Sequence, residues 1–166
     1  MSYGVRLEYS GIDPMKIEAV AGRVDDIMLN HMERGVETSM QIIEGEWKRL
    51  APVRTGEYRA HVQHTTTRTG NNVVGSVFNL LPKAEFIERG TGIYRHGGGS
   101  RGYIRPRSGK AMRWRGGDGS YVFARAVRGM RPRWVARQAR INTRHLVTVN
   151  MAVAAANAAR EIKAAL

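Results

Sequence analysis

Residues 84–115 carry the sequence AEFIERGTGIYRHGGGSRGYIRPRSGKAMRWR, in which apolar runs flank a segment rich in glycine and arginine. The first run, AEFIE, has the length of a β-strand and is followed by glycines, and strand-like alternation returns at 110–115. From Arg89 onward this stretch has eight basic side chains and no acidic one. The pattern predicts two strands joined by a positively charged loop, 90–109, that is available for contact with another molecule.

Positive charge is concentrated in the C-terminal two thirds of the 166-residue chain, whose formal net charge is +13. Residues 1–50 carry six basic and nine acidic side chains, a net charge of −3. The remaining 116 residues carry 21 basic and five acidic side chains, a net charge of +16. Such asymmetry predicts contact with a polyanion or an acidic partner, and the alternative is a solvated basic surface.

Length and composition predict a single globular domain over residues 1–166, with 42% hydrophobic and 25% charged residues. The absence of cysteine excludes disulfides and thiolate metal sites. The first residues lack the apolar core of a signal peptide, and no apolar run approaches the ~20 residues that cross a bilayer. We therefore expect a protein that is made in the cytoplasm and has no membrane partner.

A long N-terminal helix is predicted over 13–51. An Asp-Pro pair suits its first turn, apolar residues recur at three-and-four spacing along it, and Pro52 ends it. A rod of that length measures roughly 55 Å, more than the width of so small a domain, so part of it should bend or lean on a neighbouring subunit. Gly35 and Gly45 are the candidate kinks.

An antiparallel sheet of about four to five strands is predicted over 57–127. Strands at 58–66 and 73–80 flank a Thr-Gly-Asn-Asn turn, in which Gly and Asn accept positive φ. The run at 84–88 supplies a further strand. The sheet is completed by a second hairpin.

The second hairpin pairs 110–115 with 120–126 across a Gly-Gly-Asp-Gly turn. In its first arm, Met112 and Trp114 share one face while the intervening arginines take the other. We therefore expect this hairpin to have an aromatic side and an arginine side.

A C-terminal helical segment is predicted over 132–166, since Pro132 can begin a helix and eight alanines near the end favour helical structure. Helix, antiparallel strands and helix in this order give an α+β fold in which the helices are segregated from the sheet.

No catalytic or metal-binding pattern emerges, and we expect neither an enzyme nor a cofactor. The glycine spacing before Lys110 fails the phosphate-loop pattern. His61 and His64 lie three apart on a predicted strand, so their side chains should point to opposite faces. Glu85 and Glu88 fail as a carboxylate pair for the same reason, and we expect them to pair with local arginines or to face separate subunits.

Four segments together resemble the small neck proteins of long-tailed phages, the gene-product-ten-like family of HK-type phages. In chain order they are APVRTGEYR (51–59), AEFIERGTG (84–92), GKAMRW (109–114) and VRGMRPRWV (127–135). The chain departs from the family at Arg54, where Asp or Lys is usual, and at Lys83, where an aromatic residue is usual. The motif positions expected to be structural are Pro52, Thr55, Gly56, Glu88, Gly90, Thr91, Gly129 and Pro132.

The resemblance implies a structural virion protein of the head–tail joining or tail-completion type, located in the neck or tail. It implies a homo-oligomeric ring of six copies between the head-closure or connector proteins and the tail-terminator or tail-tube proteins, around the channel for packaged DNA. The alternatives are a tail-terminator protein that caps the tail tube and a non-viral basic module that binds nucleic acid.

Two further expectations concern named sites. The 55–56 turn and the 90–92 segment should be structural hinges, in which Gly56 and Gly90 adopt conformations that a side chain opposes. Six arginines should face DNA or a partner protein, because arginine suits bidentate contacts with oxygen atoms. They are Arg95, Arg101, Arg105 and Arg107 in the loop and Arg113 and Arg115 in the following strand.

Overall fold

A computed structural model of the protein describes Ala19 and residues 21–53, 55–96 and 102–165. Within these ranges the fold is α+β, with two long helices and two small antiparallel sheets of two strands each. A single sheet of four to five strands is not found there. In chain order the elements are α1 (Val24–Leu50), α2 (Glu57–Ala60), β1 (Val62–Thr69), β2 (Asn72–Asn79), α3 (Ala84–Arg89), a 3-10 turn (Gly92–Tyr94), β3 (Met112–Arg115), β4 (Tyr121–Ala124) and α4 (Val135–Ala165).

The fold divides into two compact units. The first takes the described residues of Met1–Ile42, His64–Val77 and Arg144–Leu166, and the second takes those of Ile43–Gln63 and Phe78–Thr143. Both long helices contribute residues to each unit. The predicted motif segments, the second hairpin and the loop arginines all belong to the second unit.

Helix α1 ends as predicted but begins late. A turn at Gly22 and Arg23 precedes Val24, so one unbroken helix over 13–51 is wrong, and the predicted start lies outside the described residues. Acidic side chains occupy its first turn and basic ones its last turn, which suits the helix dipole. At 27 residues it measures roughly 40 Å, which weakens the argument that its length alone demands a neighbouring subunit.

Neither predicted kink is present, since α1 runs unbroken through Gly35 and Gly45. Gly35 instead allows close packing within the first unit. A Cβ at Gly35 would lie 2.8 Å from the Cβ of Ala154, a residue of α4. Asn150 of α4 reinforces this approach, because its amide donates to the Gly35 carbonyl at 2.7 Å and to the buried Ser39 hydroxyl at 2.9 Å.

The first hairpin, β1–β2, is confirmed with shifted bounds. Gly70 in its turn has a φ of 56°. The prediction that a strand begins at Tyr58 is wrong, because that residue lies in the single turn of α2. Gly56, with a φ of 72°, reverses the chain, and its carbonyl accepts from the amide of Ala60 at 3.0 Å.

The predicted strand at 84–88 is a helix, α3. Its apolar pair, Phe86 and Ile87, is too short to distinguish the two periodicities, and the Ala84 amide bonded to the Leu81 carbonyl at 2.8 Å starts helical turns instead. The parity argument for Glu85 and Glu88 is therefore wrong, since residues three apart lie on one side of a helix.

The second hairpin is confirmed, with strands β3 and β4 shorter than predicted. Its faces differ from the prediction. Arg113 lies opposite Phe123 and Arg115 opposite Tyr121, and residues directly opposite in an antiparallel pair share a face. The arginines therefore stand beside two aromatic rings, while Trp114 lies on the other face.

Helix α4 has 31 residues and begins three residues after Pro132. It continues through Thr143, whose buried hydroxyl donates to the Ala139 carbonyl at 2.9 Å. Along one side of α4, Val135, Ala139, Ala154 and Ala158 are buried. No helix in the described ranges is both long enough and apolar enough to cross a membrane.

Candidate functional site

Glu88 lies in the 84–92 segment and forms hydrogen bonds that connect it to the 51–59 and 127–135 segments of the second unit. Its carboxylate accepts a hydrogen bond from the hydroxyl of Tyr58, which is only 3% exposed. The same hydroxyl accepts from the indole nitrogen of the buried Trp47 at 2.9 Å. Burial first, and then the bond to Glu88, raise the pKa of Tyr58 well above its ordinary value. This side chain therefore stays protonated and acts as a hydrogen-bond donor.

The Glu88 carboxylate also caps the N-terminus of α4. The amide of Ala136 donates to both carboxylate oxygens at 3.1 Å, and the amide of Trp134 donates to the Glu88 carbonyl at 3.4 Å. Trp134 has a φ of 52°, which is unusual for an aromatic residue, and these bonds hold it there. A negative charge at this helix end interacts favourably with the exposed amides and the helix dipole.

The backbone of Gly90-Thr91-Gly92 packs directly against the backbone of the 127–135 segment. The amide of Thr91 donates to the Met130 carbonyl at 2.9 Å, and the amide of Met130 donates to the Thr91 hydroxyl at 2.8 Å. A Cβ on Gly92 would lie 2.1 Å from the Arg128 carbonyl oxygen, and one on Gly129 would lie 2.2 Å from that of Thr91. Only glycine fits this crossing.

The prediction of positive φ at Gly56 and Gly90 is confirmed, at 72° and 74°. A Cβ at Gly90 would also lie 2.9 Å from the Pro132 ring. Thr55 accepts a hydrogen bond from the amide of Glu57 at 3.4 Å at the start of α2. These contacts fix the path of the chain at both turns.

An open cleft of about 590 Å³ lies beside these contacts. Its walls are mixed, with apolar and polar side chains in similar share, and Phe86 is 44% exposed. Lys83 and Glu57 pair across 3.1 Å within it. The residues that line it are Pro52, Thr55, Glu57, Tyr58, Leu81, Lys83, Phe86, Ile87, Thr91, Met130 and Arg133.

The predicted loop arginines have different surroundings. Arg95 pairs with Glu85 at 3.3 Å, and Glu85 also contacts Arg89 at 3.7 Å, so the expected local arginine partners are found for Glu85. The loop is therefore partly neutralised at Arg95 by a carboxylate that precedes it in the sequence. Glu88 differs, because its carboxylate accepts from Tyr58 and from the Ala136 amide instead. Arg105 and Arg107 are exposed, and Arg101 lies outside the described residues.

Arg113 and Arg115 are exposed on the second hairpin. The guanidinium of Arg113 stacks over the ring of Tyr121 at 4.5 Å. Arg115 donates from Nε to the Gly119 carbonyl at 3.3 Å. Phe123, on the same face, is 65% exposed. These contacts make an ordered surface of cations and aromatic rings.

The two histidines that were considered as ligands have separate partners. His64 contacts the carboxylate of Glu37 at 2.9 Å, whereas Nδ1 of His61 contacts the Glu57 carbonyl at 2.8 Å. In the described part of the chain, no group of three His, Asp or Glu residues is placed to hold a metal ion.

The hydrogen bond between Trp47 and Tyr58 could not be predicted from the sequence. Trp47 belongs to the apolar repeat of the first helix, but nothing local signals the hydroxyl to which its indole donates. The stacking of Arg113 on Tyr121 was also missed, because it depends on the strand register. Comparison with protein-family models, curated proteins and solved structures finds no match to this chain.

Proposed function

We propose that the protein is a structural component of a phage neck, forming a ring at the head–tail interface around the DNA channel. The observation that supports this most is how the motif residues are used. Glu88 bonds Tyr58 and the first turn of α4, while Thr91 bonds Met130. Three of the four segments that resemble the phage family thus meet by hydrogen bonds in one compact unit.

The chemistry at this meeting point favours a structural role over catalysis. The Tyr58 hydroxyl is buried and its pKa is raised, and the Glu88 carboxylate is occupied by hydrogen bonds from both sides. The groups that converge there hold helices and turns in place.

The charge distribution supports a position beside DNA or an acidic protein surface. Residues 51–166 carry the net charge of +16, and the exposed arginines of the second unit contribute to it. A ring gives each copy one face toward a central channel and others toward neighbouring rings. A tail-terminator ring is the second position that the same features support.

Deletion of the gene from its parent phage tests this proposal. The neck role predicts finished heads filled with DNA and finished tails that fail to join, with joining restored by the wild-type gene in trans. Normal infectious particles after deletion, or loss of head or tail assembly itself, would contradict it. A deletion that yields tails of abnormal length would favour the tail-terminator position.

A further inference from the structure

The β3–β4 hairpin presents one solvent-facing surface of mixed arginine and aromatic character. The strand register places Arg113, Arg115, Tyr121 and Phe123 on this face. Tyr121 is 56% exposed and Phe123 is 65% exposed. A short hairpin that leaves two large rings this open has a surface suited to a binding partner. We call these four residues the arginine–aromatic face.

Both arginines of this face are oriented and keep donors available. Stacking on Tyr121 holds the guanidinium plane of Arg113 and leaves its N–H groups at the edges for oxygen acceptors. The bond from Arg115 to the Gly119 carbonyl uses one donor. Within the described ranges, neither arginine forms an ion pair with a carboxylate.

The acidic residue of the hairpin turn offsets only part of the positive charge around the face. Asp118 accepts from both the amide and the hydroxyl of Ser120, at 3.0 and 2.8 Å, and these bonds lower its pKa. Lys110 and Arg125 are exposed just beyond the two strands and add to the positive charge. Charge complementarity therefore favours a polyanion as the partner.

The dimensions suit duplex DNA. Residues two apart on a strand are about 7 Å apart, which spans two base-pair steps of about 3.4 Å along the duplex axis, so the two guanidinium groups can reach different phosphates. A two-stranded ribbon is also narrow enough to enter the major groove.

We propose that the arginine–aromatic face is a contact surface for duplex DNA. Arg113 and Arg115 bind phosphate oxygens, Tyr121 positions Arg113, and Phe123 packs against the sugar backbone. This inference rests on the proposed function, which identifies the DNA as the DNA of the neck channel. It deepens that function by naming the surface that contacts this DNA. It predicts binding without sequence preference.

The test is a titration of the purified full-length protein with a fluorescent duplex between about 50 and 200 mM salt. We expect Arg113→Gln/Arg115→Gln to weaken binding and to reduce the slope of log K against log salt by about 1.8, or about 0.9 for each phosphate that is no longer neutralised. The control Arg140→Gln/Arg144→Gln removes the same charge from exposed positions of α4 and should leave the slope nearly unchanged. Tyr121→Phe should bind like the wild type, and Tyr121→Ala should bind more weakly.

Three results would overturn the proposal. The first is the absence of salt-dependent binding to the duplex, and the second is equal weakening of binding in the two double variants. The third is binding to single-stranded DNA that is tighter than binding to the duplex and is lost in Phe123→Ala. Because the assay uses isolated protein, it is independent of the gene deletion. Wild-type DNA binding by Arg113→Gln/Arg115→Gln together with failed head–tail joining would overturn the DNA assignment while leaving the neck role intact.

Discussion

The carboxylate of Glu88 bonds the hydroxyl of Tyr58, thirty positions earlier in the sequence, and the same carboxylate caps the helix that begins at Val135. One acidic side chain thus ties the turn after α1 to the start of α4. The second unit depends on this connection because each partner is at least partly buried. Single substitutions at such contacts should therefore change the stability of the protein.

Replacement of Glu88 by Ala should destabilise the protein by about 2–4 kcal/mol, because it leaves the Tyr58 hydroxyl and the Ala136 amide without their acceptor. Glu88→Gln keeps one acceptor oxygen and should cost about half as much. Urea unfolding followed by circular dichroism measures both. Equal free energies of unfolding for Glu88→Ala and the wild type would contradict this, because water would then satisfy the Tyr58 hydroxyl and the Ala136 amide as well as the carboxylate does.

Replacement of Gly129 by Ala should destabilise the protein by at least ~2 kcal/mol more than replacement of Gly109. Both glycines have positive φ, at 94° and 86°, so both variants carry the same backbone strain. A Cβ at Gly129 meets the Thr91 carbonyl at 2.2 Å, whereas nothing lies within 4 Å of one at Gly109. Thermal unfolding of both variants isolates the effect of the close contact between Gly129 and the Thr91 carbonyl. Equal melting temperatures would contradict a steric cost at that contact.

Two glycines of α1 should respond in opposite directions to alanine. Gly35→Ala places a Cβ 2.8 Å from that of Ala154 and should cost about 1–3 kcal/mol. Gly45→Ala meets nothing within 4 Å and should stabilise the helix by about 0.5–1 kcal/mol. The measurement is the free energy of unfolding in urea. A shift of the same sign in both variants would contradict the close packing at Gly35.

Acid should weaken the protein through Glu46. Its carboxylate accepts from Arg49 at 2.6 and 2.7 Å and from Asn142 at 2.6 Å, and these bonds, those of Arg49 foremost, lower its pKa to about 2. Because the pKa is lower in the folded state, this stabilisation is complete above about pH 4.5 and is lost as pH falls toward 2.

Unfolding measured across that pH range checks the contribution of Glu46. The difference in stability between wild type and Glu46→Gln should shrink as pH falls from 4.5 toward 2. A difference that stays constant over this range would show that the carboxylate has its ordinary pKa in the folded protein.

The sequence was informative where a pattern is local. Three-and-four spacing of apolar residues predicted α1, and the Gly-Gly-Asp-Gly turn predicted the β3–β4 hairpin. It misled where a pattern is short, because six residues at Ala84–Arg89 fit a strand and a helix equally well. The alternation of side chains along β3 predicted which of its residues share a face. It could not predict which residues of β4 lie on the same face of the hairpin, because that depends on the strand register.

The candidate site was only partly predictable for the same reason. The motif glycines at 56 and 90 were expected to have positive φ, and they do. The acceptor role of Glu88 depends on partners 30 and 48 positions away, and no local pattern encodes such distances.

A reconstruction of the neck in intact particles of a phage that encodes this chain would decide whether the chain forms the proposed ring. We expect several copies of this chain in a closed ring between head and tail, with each β3–β4 hairpin facing the channel. Density for the ring that excludes this fold, or this chain present as an isolated monomer, would contradict it.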